Sequence, residues 1–200
     1  MSGPNLRIVG NKFTNISELA SCQIGSIFQL SYERYIMVGI IQTLTLYKAW
    51  ADEITYPSLL ALPNGEAAKK RQTNFGTMAH TMNHVFVVDD IFRHHLMGQS
   101  HGYTSRNTEK TPPLEELFEK HRDMNQWYVD LAAGLSVEDL EEAIYFTFVG
   151  GGEGRMTRQE IVLHVVNHAT YHRGFVNDMM YQVPVRPPAN DFPVFLRDRS

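Results

Sequence analysis

The sequence predicts an all-α protein, an up-and-down four-helix bundle with a small hairpin before the last helix. Apolar residues recur at helical spacing in long segments that turn signals separate. One short β-branched and aromatic run ends in glycines and predicts the hairpin. The chain has 200 residues, which is enough for one domain with a buried core. Helical segments of this number and length are typical of a four-helix bundle.

Residues 1–35 are interpreted as an N-terminal extension, and residues 36–200 as the bundle domain. The helical pattern begins at Asn15, where NISE offers an N-cap, but Gly25 and Gly39 leave open whether one helix or two follow. The better helix covers 35–62 and ends at the turn LPNG. Its predicted inward stripe consists of Ile36, Ile40, Leu44, Tyr47 and Ile54.

The second predicted helix covers 74–97 and ends at Gly98. Its apolar side is formed by Met78, Val85, Val88, Ile91 and Phe92. A polar stretch, GQSHGYTSRNTEKTP, predicts an exposed loop. The third helix follows the start signal Thr111-Pro112-Pro113 and continues to about residue 133. Leu114, Leu117, Trp127 and Leu131 are predicted to face inward.

The run AIYFTFVGGGEGRMT predicts the hairpin, and Thr157 with Glu160 forms a capping box for the last long helix. One side of that helix carries Ile161, Val165, His168, His172 and Val176. The tail PVRPPANDFPVFLRDRS is rich in proline, so we expect it not to be helical.

Composition excludes several classes of function. The net charge is -4 and the pI is about 6.1, which argues against a nucleic-acid-binding surface. Polar residues interrupt the apolar stretches, and MSGPNLRIVGNKF lacks the apolar block of a signal peptide, so we expect neither a membrane span nor secretion. One cysteine, Cys22, fits a reducing, cytoplasmic location.

Three histidines suggest a metal site. His168 and His172 are four residues apart, so they lie about 40° apart around one helix and can reach one ion. His84 would come from a facing helix. Spacing also permits the pairs His80/His84 and His164/His168, although the apolar stripe favours the later pair. The remaining histidines are predicted to be peripheral: His94, His95, His101 and His121.

Three segments resemble the DinB/YfiT-like family of metal-dependent enzymes: YKAWADEITYPSLLALP, NFGTMAHTMNHVFVVDDIF and LHVVNHATYHRGF. The resemblance extends from Ile40 to the C-terminus and includes the pattern H-x-x-N-H-x-x-x-H-R-G. It implies His84, His168 and His172 as the metal ligands, with His80 and His164 in supporting or packing roles. The chain departs from the family pattern at Asp90, Phe92, Tyr171 and Phe175, which puts the substrate in doubt.

Three imidazoles would leave coordination positions open for water or substrate. Zinc is the first choice of metal and nickel the second. A metal-bound water in such a site would make the protein a hydrolase, and a metal-bound thiolate would make it a thiol transferase. The resemblance implies a transferase or isomerase that uses a low-molecular-weight thiol and acts on a small-molecule substrate. A homodimer formed through helix faces is expected, partly from the resemblance. Ala169 follows His168, so the HExxH motif with its built-in base is absent.

Without a built-in base, thiol activation is favoured over hydrolysis. Asp52 or Asp89 could supply the base if it faced the site, but both are predicted to be surface or capping carboxylates. Arg173 is predicted to form a surface ion pair, and Gly174 to permit close helix packing. The rival hypothesis is a non-catalytic bundle that binds metal structurally or binds a small ligand.

Overall fold

The computed structural model describes the backbone of residues 16–63, 65–183 and 185–199, and the side chains of those from Ile36 onward. Six helices and two strands follow one another along this part of the chain. They are α1 (Ile16–Leu60), α2 (Met78–Leu96), α3 (Leu114–Gly134), α4 (Val137–Glu141), β1 (Ala143–Thr147), β2 (Glu153–Thr157), α5 (Arg158–Tyr181) and α6 (Phe192–Asp198). A single 3₁₀ turn at Glu66–Ala68 lies between α1 and α2.

The long helices α1, α2, α3 and α5 form the predicted bundle, and the hairpin precedes α5 as expected. Helix α2 packs most extensively against α5 and also contacts α3. One core cluster joins apolar residues of all four helices, among them Tyr56, Met82, Leu117 and Val176. The all-α fold class is therefore confirmed. None of the helices among the described residues is long and apolar enough to cross a membrane.

Helix α1 buries only part of the predicted stripe. Ile36 and Ile40 are exposed, whereas Tyr47 of that stripe is buried, and Lys48 and Asp52 are buried beside it. The prediction was wrong for the two isoleucines, and it missed the buried charges because a stripe of apolar residues cannot reveal charged residues that pair with other helices inside the core. The structure also shows one helix from Ile16 to Leu60, which answers the question that the two glycines left open.

The proline-rich tail contains a helix, contrary to prediction. Helix α6 begins at Phe192 and places Pro193 in its first turn, where the missing N–H costs no hydrogen bond. Phe195 is buried and packs against the rings of Tyr47 and Trp50. The distances from its ring centroid to theirs are 5.8 Å and 5.6 Å. Aromatic packing on α1 therefore fixes this segment.

The hairpin brings a large aromatic ring into the core. Phe146 lies opposite Gly154 in the antiparallel register and is 9% exposed. A Cβ atom at residue 154 would collide with the Phe146 ring, so this strand position requires glycine. The connecting turn uses Gly151 and Gly152 at φ 88° and 93°, a conformation that glycine adopts without strain.

The start of α5 has the predicted capping box. The Thr157 hydroxyl accepts a hydrogen bond from the Glu160 N–H, and the Glu160 carboxylate accepts one from the Thr157 N–H at 2.7 Å. These bonds satisfy two amide groups that a helix start otherwise leaves without partners.

Replacing Thr157 with alanine is expected to lower the free energy of unfolding by about 1 kcal/mol, the usual value of such a cap. Urea unfolding measures the change. Thr157→Ser keeps the hydroxyl and should remain within about 0.5 kcal/mol of the wild type. Equal losses in the two variants would show that the hydroxyl does not stabilise the helix start.

Candidate metal centre

The three predicted ligands come together in the structure. His84 lies in the middle of α2, and His168 and His172 lie one turn apart on α5. Each ring offers one nitrogen, and these three nitrogens all lie within 4.8 Å of one another. No further histidine, cysteine, aspartate or glutamate among the described residues joins this group. The extensive α2–α5 packing creates this meeting point, because both helices turn their histidines toward the same space.

The distances suit a metal ion. Nε2 of His84 and Nε2 of His168 are 3.1 Å apart. Two nitrogens bound to one ion at about 2.0–2.1 Å would be separated by roughly 2.9–3.4 Å, from octahedral to tetrahedral angles. The ring centroid of His172 lies 4.7 Å from that of His84 and 4.4 Å from that of His168. The rings therefore need little movement to share an ion.

The protonation states also favour coordination. Burial lowers the pKa of His168 to about 2, and the neighbouring His172 and His84 act in the same direction. Burial, with a smaller effect from His84, lowers the pKa of His172 to about 4. The rings are neutral at pH 7, as metal ligation requires. Nδ1 of His168 and Nδ1 of His172 are buried without a hydrogen-bond partner among the described residues.

A loop of the chain orients His84. Nδ1 of His84 and the backbone oxygen of Arg106 are 2.6 Å apart, so the ring donates its Nδ1–H to that carbonyl and keeps Nε2 free for an ion. The loop is held against α2 by Asn83, whose amide donates to Thr108 Oγ1 at 2.7 Å and to Asn107 Oδ1. Asn107 in turn donates to the His80 carbonyl at 3.1 Å. This segment was predicted to be an exposed loop, and its anchoring to α2 was missed.

The triad opens into a cavity of about 550 Å³. That volume lies in the usual range for small-molecule sites. Phe75 stacks on His84 with ring centroids 4.3 Å apart, and Tyr171 lies edge-on to His172 at 5.1 Å. The other described lining residues are Asn74, Val88, Ile91, Phe92, His95, Ser105, Arg106, Asn107, Phe148, Val149, His164 and His168.

The remaining histidines have other places. His80 hydrogen bonds through Nδ1 to Thr111 Oγ1 at 2.7 Å, so it is turned away from the triad. His164 lines the cavity, its ring centroid 5.5 Å from that of His168, and His95 lines it as well. The prediction that His121 is peripheral was wrong, because this residue is fully buried. Its Nδ1 atom lies 2.8 Å from the hydroxyl oxygen of Tyr56.

A network of buried charges lies within the bundle. Lys48 Nζ lies 2.7 Å from Asp89 Oδ2 and 3.2 Å from Asp52 Oδ2, and it donates to Asn125 Oδ1 at 2.6 Å. Arg173 donates from Nη1 to Asp52 Oδ1 at 3.0 Å. All five residues are at most 5% exposed. The surface roles predicted for Asp52, Asp89 and Arg173 were therefore wrong, because each charge is paired inside the core.

The two carboxylates have different environments. Asp52 accepts hydrogen bonds from Lys48, Asn125 and Arg173, and although burial opposes ionisation, its pKa is lowered by the two cations. Asp89 faces Lys48 at ion-pair distance, but neither of its oxygens accepts a well-aligned hydrogen bond, and burial raises its pKa to about 6. Neither carboxylate lines the cavity, so neither is placed to act as a base there.

The glycine that follows Arg173 has no packing role. Gly174 is exposed, and a Cβ added there would meet no neighbouring atom within 4 Å. The prediction that Gly174 permits close helix packing was therefore wrong, because no other segment in the described part of the chain approaches this position.

His121 should make the stability of the protein depend on pH. Burial lowers its pKa to about 3, against about 6.5 in an unfolded chain, so the unfolded state binds the proton first as the pH falls. This stabilisation is complete above pH 6.5 and is lost toward pH 3. Between pH 7.5 and pH 5, about 2 kcal/mol should be lost through this residue alone.

Urea unfolding of metal-free protein at the two pH values checks this, with His121→Gln as the reference variant. The wild type should lose about 2 kcal/mol more than the variant over the same interval. Parallel pH profiles would mean that His121 is solvated rather than buried.

Comparison with known proteins identifies the family and the fold of this chain. The family model described as the DinB family matches residues 37–199. Protein DinB of Bacillus subtilis (strain 168) is 24% identical over 156 residues, which cover 75% of this chain and 90% of that protein. The crystal structure of a DinB-like protein from Bacillus cereus superposes on this chain with a TM-score of 0.54 at 18% sequence identity. The match covers 70% of this chain and 89% of that one, so the two proteins share a fold. The chain belongs to the DinB family.

Proposed function

We propose that this protein is a metal-dependent enzyme whose ion is held by His84, His168 and His172. The single observation that carries the proposal is the position of the triad at a cavity of about 550 Å³, with no fourth potential protein ligand grouped with it among the described residues. A structural metal site is usually closed by four protein ligands, whereas a catalytic site keeps a position open. Zinc remains the first choice and nickel the second, because imidazole suits both.

The chemistry proposed is thiol transfer or thiol-dependent isomerisation rather than hydrolysis. A divalent ion in this site would lower the pKa of a bound thiol or water. Hydrolysis also benefits from a nearby base, yet no carboxylate is among the described residues that line the cavity. Asp52 and Asp89, the two candidates in the sequence, are occupied in the buried charge network. A thiol that binds as the thiolate needs no such base to attack.

The protein itself would position the reactants. Hydrogen bonding to Arg106 holds the His84 ring in one tautomer, and Phe75 stacks against its face. Phe92 packs against His164 at 4.7 Å between ring centroids, which closes another side of the cavity. These contacts exclude water from the apolar walls and limit how a substrate can approach the triad.

The experiment compares two reactions of protein loaded with one equivalent of zinc. Cysteine with an electrophilic aryl halide reports thiol transfer, and p-nitrophenyl acetate without thiol reports hydrolysis. We expect transfer to exceed hydrolysis and to disappear after the metal is removed with a chelator. Zinc-dependent ester hydrolysis without acceleration of thiol transfer would contradict the proposed chemistry, and loss of neither activity on chelation would contradict a catalytic metal.

A further inference from the structure

The cavity is unusual in its charge. The protein carries a net charge of -4, yet the described residues that line the cavity include no aspartate or glutamate. Its only side chain with a permanent charge among those residues is that of Arg106. The part of the lining that the structure describes therefore has one fixed positive charge, on the exposed side chain of Arg106, and no fixed negative charge.

Arg106 has no competing partner among the described residues. Its side chain is exposed, and no carboxylate of the described part of the chain forms an ion pair with its guanidinium, whereas two other arginines are paired. Arg93 pairs with Asp90 at 2.6 Å, and Arg158 pairs with Glu142 at 2.6 Å. An arginine without a protein partner beside a cavity can bind a carboxylate or phosphate with two parallel hydrogen bonds.

The backbone of Arg106 has a fixed place beside the triad. Its carbonyl accepts the hydrogen bond from His84, and the next residue, Asn107, is tied to α2 through Asn83 and the His80 carbonyl. The side chain therefore starts from an anchored position at the edge of the metal site.

The other walls are aromatic and aliphatic. Phe75, Phe92, Phe148 and Tyr171 contribute rings, and Val88 and Ile91 contribute aliphatic surface. Phe148 and Tyr171 are 49% and 61% exposed, so they lie toward solvent. Rings and branched aliphatic groups bind the apolar body of a ligand, and a group of exposed apolar side chains is typical of a binding surface.

We propose that the substrate of this site is an organic anion with an apolar body, whose carboxylate or other anionic group binds Arg106 while the body packs against the aromatic walls. This inference rests on the proposed function for the reaction, but the anion site itself requires no metal. This arrangement accounts for three observations on the described residues: the cavity lining lacks carboxylates, its arginine has no ion-pair partner, and an exposed aromatic residue, Tyr171, stands at the rim.

The test measures binding of 3-phenylpropionate and of its neutral analogue 3-phenylpropanamide by isothermal titration calorimetry. Both zinc-loaded and metal-free protein are used. We expect the carboxylate to bind about tenfold or more tightly than the amide in both forms, as charge-assisted hydrogen bonds require. Arg106→Gln should abolish this difference in the metal-free protein, and Arg106→Lys should retain part of it.

The matched control is Arg186→Gln, which removes the same charge from an exposed residue that does not line the cavity. It should leave the preference unchanged, and circular dichroism should show that all three variants are folded. Equal binding of the two probes, or an Arg106→Gln variant that keeps the full preference in the metal-free protein, would overturn the proposal. The two proposals can fail separately. If the metal-free protein prefers the carboxylate but the protein does not bind zinc, the proposed metal-dependent reaction is contradicted and the anion site is still supported.

Discussion

Replacing Lys48 with methionine is expected to lower the free energy of unfolding by about 3–5 kcal/mol, the usual cost of breaking a buried ion pair from one side. Lys48 is 1% exposed and lies between Asp52 and Asp89. Without it, Asp89 would lose the cation at 2.7 Å and remain inside the bundle with no hydrogen-bond donor among the described residues. Chemical unfolding at pH 7 measures the loss.

The control for this variant is Arg122→Met. Arg122 also forms ion pairs, with Glu53 at 3.2 Å and Glu119 at 3.3 Å, but all three side chains are largely exposed. Its removal should cost less than about 1 kcal/mol. If Lys48→Met and Arg122→Met had similar small effects, the charges assigned to the core would have to be solvated.

Removing one histidine of the triad should abolish specific metal binding. His168→Ala leaves two nitrogen ligands, and affinity for Zn²⁺ should fall by more than about 100-fold, since even the loss of a supporting hydrogen bond typically costs about 10–100-fold. Titration of tag-free protein with Zn²⁺ measures this, and His84→Ala should behave alike. The two variants test ligands from different helices, α2 and α5.

His164→Ala is the matched control, because it lies one turn before His168 on the same helix and lines the same cavity but is outside the triad. It should keep wild-type stoichiometry and affinity within a few-fold. A loss of affinity in His164→Ala as large as in His168→Ala would mean that another histidine pair, as spacing alone allows, holds the ion.

The sequence predicted those features that a few neighbouring residues determine. The capping box of Thr157 and Glu160, the glycine at the end of α2 and the hairpin turn depend on a few adjacent residues, and the structure confirms them. The histidine triad was also predictable as a geometric cluster, because two of its members share one helix face and the family resemblance selected the third.

Features that depend on contacts between distant segments were missed. Lys48 and Asn125 are 77 residues apart and Arg173 and Asp52 are 121 apart, so no local pattern could show that these polar groups satisfy one another in the core. The spacing of Lys48 and Asp52, four residues apart in α1, was a signal of pairing but not of burial. Likewise, the hydrogen bond from His84 to the Arg106 carbonyl joins a helix to a loop. The sequence of that loop shows only that it is polar, and it gives no sign of this contact.

X-ray absorption spectroscopy of tag-free protein loaded with one equivalent of zinc tests the central claim most directly. The account predicts three imidazole nitrogens at about 2.0–2.1 Å and at least one further light-atom ligand that an added thiol replaces with sulfur at about 2.3 Å. Four imidazole ligands that an added thiol leaves unchanged, or zinc without a defined histidine shell, would contradict it.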